Sequence, residues 1–152
     1  MIKTVGKSVL HFISKAEKVD PKPTIVCFKP MTKREYDEYM DSLTEFKRGK
    51  VVSKASKAGE ILYRRALSPD DKDEIMTLES GVKVKREKGV FIYNAFYDGK
   101  ELEQIKDRDI AVEFLMGVVD IDWANELEST MRGQSILDEE EEKNSVGQSD
   151  SH

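Results

Sequence analysis

An α+β fold, with small antiparallel strand pairs packed against several amphipathic helices, is what this sequence predicts. Three observations carry the expectation. Short runs of β-branched and aromatic residues are punctuated by Pro and Gly, helical apolar spacing recurs behind capping residues, and a composition 38% hydrophobic and 36% charged suits one core with a well-solvated surface. The 152 residues have room for one domain, placed at 1–132, with an acidic tail at 133–152 expected to be disordered.

Ser8 to Ile13 holds β-formers without helical spacing, and Thr24 to Phe28 is a β-branched and aromatic run closed by Pro30, so two strands joined by a polar loop are expected. Thr32-Lys33-Arg34-Glu35 is a capping box, with Met31 and Tyr36 placed for a hydrophobic staple. Behind it Tyr36, Tyr39, Met40, Leu43 and Phe46 form one apolar stripe, and the helix is expected to run on until Gly49. A second helix is read from Val52 to Leu67. Ser68-Pro69-Asp70-Asp71 then resembles a fresh helix start, with Ile75, Met76 and Leu78 behind it and an end near Gly81.

Val82 to Lys85 alternates, Lys88-Gly89 can turn, and Val90 to Tyr97 is apolar on both faces, as a central strand would be. Asp98-Gly99 is a two-residue hairpin signal. Asp107 is placed to cap a helix burying Ile110, Phe114, Leu115 and Val118. Asp120 or Asp122 caps a last helix carrying Ile121, Ala124, Leu127 and Met131. The run Asp138-Glu139-Glu140-Glu141-Glu142 and its surroundings cannot bury enough surface to offset the entropy of ordering.

Chemistry-bearing patterns are scarce. Neither a GxGxxG nor a GxxxxGK[ST] loop occurs, which removes the usual nucleotide signatures. Cys27 is the single cysteine and sits in an apolar run, so it reads as a small buried hydrophobe; with His11 and His152 as the two histidines, no Cys/His zinc set is expected. Asp120 and Asp122 read as caps in preference to an acid/base pair. The chain is therefore expected to be no enzyme, to need no cofactor or metal, and to work by binding. With no apolar stretch of spanning length, no membrane is expected as a partner.

Lys83, Lys85, Arg86 and Lys88 lie beside Phe91, Tyr93 and Tyr97, a pattern that could hold single-stranded nucleic acid by stacking and phosphate contact. Against that reading, the chain from Ala66 onward carries 10 Lys and Arg against 22 Asp and Glu, which repels phosphate. Met1 to Arg65 has 15 against 8, so the chain is dipolar and could associate head to tail. Phe91, Tyr93, Tyr97 and Trp123 are the candidate partner-contact residues, with core packing as the favoured role for each.

The order of certain segments is similar to a known family. They are Phe28-Lys29-Pro30-Met31-Thr32 with Arg34-Glu35 opening a helix, Tyr93-Asn94-Ala95-Phe96-Tyr97-Asp98-Gly99-Lys100, the Ile121 to Leu127 helix, and Ser135-Ile136-Leu137 leading into the acidic run and Lys143-Asn144-Ser145. Together they resemble the tail assembly chaperones of long-tailed bacteriophages, over about Gly6 to Ser145. The resemblance implies a protein of the infected host cytoplasm, absent from the mature virion. Such a protein binds the tape measure protein and keeps it soluble until tail tube protein polymerises around it. A structural virion protein of the tail or neck, or a single-stranded nucleic-acid-binding regulator, are the alternatives.

Overall fold

The computed structural model describes residues 8–53, 57–97, 100–101 and 104–133; the side chains of 45–47, 52–53, 97 and 100–101 lie outside the described set. Its centre is β2, Ile25–Phe28, a strand buried at all four positions. β1, Leu10–Phe12, pairs antiparallel with one edge of β2, and β7, Ile92–Tyr93, with the other. Alternation along β2 then sends side chains to two separate cores. Val26 and Phe28 join Phe12 and Ile92 in the larger core, whereas Ile25 and Cys27 join Val9, Val90 and Tyr93 in the smaller one.

Four helices cover the first face: α1 (Lys33–Ser42), α2 (Ala58–Ala66), α3 (Arg108–Gly117) and α4 (Ile121–Met131). Tyr39, Leu62, Tyr63, Ala66, Leu115, Leu127 and Met131 carry the burial. A hairpin of β5 (Glu74–Thr77) and β6 (Lys83–Arg86) covers the other face through Met76, Leu78 and Val84. The fold is thus α+β, a small sheet between a helical layer and a β-hairpin. Two further hairpins, β3 (Thr44–Lys47) with β4 (Lys50–Ser53) and β8 (Phe96–Tyr97) with β9 (Lys100–Glu101), complete it.

The starts of α1, α3 and α4 were legible because their signals are local. Glu35 N donates to Thr32 Oγ1 at 3.2 Å and Thr32 N donates to Glu35 Oε1 at 3.0 Å, the full capping box. Met31 and Tyr36 pack against the larger core at the N′ and N4 positions of a staple. Thr32→Ala is expected to lower stability by about 1 kcal/mol, read as a shift of the urea midpoint with an unchanged slope. Asp107 caps α3 and Asp120 caps α4. Arg108 closes the other end of α2: its Nη1 donates to the carbonyls of Leu67 (2.7 Å) and Arg64 (3.1 Å), with the guanidinium 5.0 Å from the Phe91 ring centre.

Several expectations are corrected. α1 ends at Ser42, not near Gly49, because Arg48 and Gly49 both take positive φ (52° and 78°) and form the two-residue turn of the β3–β4 hairpin. Val52 therefore lies in β4, and α2 begins only at Ala58. Residues 68–73 form neither helix nor strand and no helix follows them; Ile75 and Met76 belong to β5. The Val90 to Tyr97 run is broken at Asn94, at φ 55°, so it contributes two short strands where one was expected. Ile110, Val118 and Ile121, assigned to buried helix faces, are exposed; Ala111 and Val112 fill the α3 face instead. The tail expected to be disordered, from 134 onward, and the Asp98-Gly99 turn lie outside the described residues, though β8 and β9 pair on either side of that turn.

Candidate functional site

The densest polar cluster surrounds Asp70, in the smaller core. Backbone contacts place it: Asp70 N donates to the Val90 carbonyl and Gly89 N to the Asp70 carbonyl, both at 2.8 Å, tying the 68–73 segment to the turn before β7. Its Oδ1 accepts Nε of Arg86 at 2.8 Å and a second, short bond from Arg86 Nη2. Its Oδ2 accepts the Tyr93 hydroxyl at 2.6 Å and His11 Nε2 at 3.1 Å. Arg86 also donates through Nη1 to Glu74 (2.7 Å) and through Nη2 to Asp71 (3.3 Å), and Glu87 N donates to Tyr93 Oη at 2.7 Å.

Burial opposes ionisation of Asp70, but the hydrogen bonds from Arg86, Tyr93 and His11 outweigh it and hold the carboxyl at about 2. The bond to Asp70 holds Arg86 firmly charged. Burial, followed by the bond to the Asp70 carboxylate, pushes the Tyr93 hydroxyl above its ordinary range.

Cys27 pairs with His11 in the β1–β2 register, so both face the same core, and the ligand atoms of His11, Cys27 and Asp70 lie within 4.8 Å of one another. Sequence spacing had given no sign of this juxtaposition, because Asp70 is 59 positions from His11. The set is a poor nucleophilic or metal centre on its own chemistry. Burial first, then the adjacent Asp70 charge, push the Cys27 thiol far above the usual thiol range, so the reactive thiolate is suppressed. A divalent cation would have to form beside the Arg86 guanidinium and displace donors that already occupy both Asp70 oxygens. Among the described residues, no buried side-chain nitrogen or oxygen lacks a hydrogen bond. The cluster is a bolt between hairpin and sheet.

Of the predicted contact residues, Phe91 and Tyr93 are core residues, at 7% and 0% exposure. That is a correction with a simple cause: the wet face expected on this strand is covered at Tyr93 by the β5–β6 hairpin, while Phe91 turns to the helical side and joins the larger core beside Arg108. Tyr97 belongs to β8 and its side chain lies outside the described residues. Trp123 is half-buried, edge-on to Phe12 (centroids 5.4 Å apart, rings at 88°), with its Nε1 donating to Glu17 at 2.9 Å. The stacking platform required by the nucleic-acid reading is thus internal at Phe91 and Tyr93, and Arg86 is committed to Asp70.

The surface offers something the sequence reading missed. Met116, Val118 and Ile121 are exposed at 43%, 39% and 69%, at the corner where α3 turns into α4. They were assigned inward or passed over because helical periodicity is ambiguous within a residue or two of a helix end. No protein-family model, curated protein or solved structure matches this chain. Among the described residues, no helix is long and apolar enough to cross a membrane.

Proposed function

We propose that this chain is a tail assembly chaperone of a long-tailed bacteriophage. In that role it is a non-enzymatic domain that binds tape measure protein in the host cytoplasm, keeps it soluble until tail tube protein closes around it, and does not remain in the virion. The sequence resemblance supplies the family, and one structural observation supports a binding role. The apolar corner of Met116, Val118 and Ile121 is open to solvent, while the polar cluster that could have suggested chemistry is used up in holding the fold. Exposed apolar side chains at a helix corner suit the apolar stripe of an amphipathic helical partner, which docks by i, i+3, i+4 anchors.

The test is co-expression with a long helical tape measure protein. The wild-type chain is expected to carry the partner into the soluble fraction, and V118E/I121E to reduce that soluble yield about tenfold, as loss of a central apolar anchor does. Both positions are exposed, so the unfolding free energy of the variant should stay within about 0.5 kcal/mol of wild type. Undiminished solubilisation by V118E/I121E would place the contact elsewhere. A wild-type chain that leaves the partner insoluble, or is recovered stoichiometrically from purified particles by mass spectrometry, would refute the chaperone reading.

A further inference from the structure

Pairing with β5 leaves one edge of β6 open. Leu78 N donates to the Val82 carbonyl at 2.8 Å, and from that pair bonded and unbonded positions alternate along the ladder. Val84 and Arg86, opposite Met76 and Glu74, therefore bond to β5, whereas Lys83 and Lys85, opposite Thr77 and Ile75, turn their backbone N–H and C=O groups to the other side. Among the described residues, neither of those N–H groups has an acceptor. Lys83, Val84 and Lys85 line a groove of 620 Å³, together with Pro21, Asn94 and Gln104. Both lysine side chains are exposed and lack a carboxylate partner among the described residues, and half-buried Glu87 is the one acid in the lining. We propose that this groove receives an extended acidic segment of a partner protein, which adds to β6 as a third strand.

The incoming backbone closes hydrogen bonds with Lys83 and Lys85, and its side chains alternate between the two faces of the hairpin. Acidic residues at every second position then lie on the solvent face beside the two lysine ammonium groups. Small apolar residues fall between them on the face of Val84, which packs toward the smaller core. The lysines also select the occupant. Pairing of β6 with the same strand of a second copy sets lysine against lysine, so the edge is closed to its own kind and open to carboxylates. A nucleic acid satisfies the charge but has no peptide backbone to continue the ladder. The hairpin lies on the face of the sheet away from the helical layer, so this docking stands apart from the α3–α4 corner and from the chaperone reading.

Hydrogen exchange on the full chain, followed amide by amide by NMR, tests this with a synthetic peptide of alternating Glu and Val about six residues long. Without peptide, the Val84 and Arg86 amides should be protected by the β5 ladder, and those of Lys83 and Lys85 should exchange freely. Saturating peptide should slow exchange at Lys83 and Lys85 by about tenfold. K83E/K85E should weaken peptide binding by about tenfold, because it sets like charges together; both positions are exposed, so the fold persists. Two N-methylated peptides isolate the backbone contribution. Methylation of the alternate amides that face β6 should abolish binding, and methylation of the other set should preserve it. Equal binding by the two methylated peptides, unchanged exchange at Lys83 and Lys85, or the same protection from a single-stranded oligonucleotide overturns the proposal. So does peptide binding that appears only in E139K/E140K/E141K, which would show the chain's own acidic run filling the groove.

Discussion

Asp70→Ala is expected to lower the unfolding free energy by about 3–5 kcal/mol, the usual cost of removing one partner from a buried ion pair. The Asp70 side chain is fully buried, and its loss leaves the Arg86 guanidinium, 10% exposed, with only its outer partners Glu74 and Asp71, and removes the inner partner of the Tyr93 hydroxyl and of His11. Urea unfolding at pH 7 measures the loss, and the β5–β6 hairpin should be the first segment to lose hydrogen-exchange protection, because Arg86 anchors it. The same carboxyl sets an acid limb. Its folded value of about 2 lies below its ordinary 3.8, so its contribution is complete above pH 4 and drains away as pH falls from 4 to 2. The amount is about 2 kcal/mol. In Asp70→Ala that part of the acid dependence should vanish, and the variant's urea midpoint should fall less steeply than wild type between pH 4 and pH 2.

Tyr93→Ala is expected to cost a further-reaching 3–5 kcal/mol, of the order of ~4 for emptying the space of a large buried aromatic. The ring is fully buried against Ile25, Cys27 and Val90, between the sheet and its covering hairpin. Tyr93→Phe keeps the ring and removes only the donor to Asp70, and should cost about 1–2 kcal/mol. A residue serving only as a partner contact would show neither loss, so urea unfolding of the two variants separates the core role from the contact role. Near-ultraviolet circular dichroism should show the Tyr93→Ala core loosened before any effect on partner solubility is scored.

What the sequence disclosed follows from how far each signal reaches. Thr32, Asp107 and Asp120 cap helices by bonds two or three residues away, and all three were readable. Ser68-Pro69-Asp70-Asp71 carries the same vocabulary, yet Asp70 is claimed by Arg86, 16 positions on, and by His11, 59 positions back. A residue type that caps helices is also one that anchors a buried arginine, and only tertiary partners separate the two uses. Thr44 to Ser53 misled in another way: Phe46 continued the spacing of α1, while the Arg48-Gly49 turn that ends it depends on an arginine at φ 52°, a conformation Asn or Asp adopts far more readily. The candidate contact aromatics were conspicuous for their composition, but the elements that cover them, the β5–β6 hairpin over Tyr93 and the helical layer over Phe91, cannot be read from the strand itself. The exposed corner at Met116, Val118 and Ile121 was hidden because all three types are ordinarily core residues.

The placement of β2 between β1 and β7 bears on biosynthesis. Its partner on one side, Ile92, follows Val26 by 66 positions, so at roughly 5–20 residues per second a ribosome needs about 3–13 s to deliver it. Residues 66–68 pair with the Phe28 end of this edge first, and until Ile92 arrives the Ile25–Val26 end of the most apolar strand stays open, a template for pairing with another nascent chain. Slower translation between these two segments should therefore raise the fraction of newly made protein lost to inclusion bodies, without altering the stability of the molecules that fold.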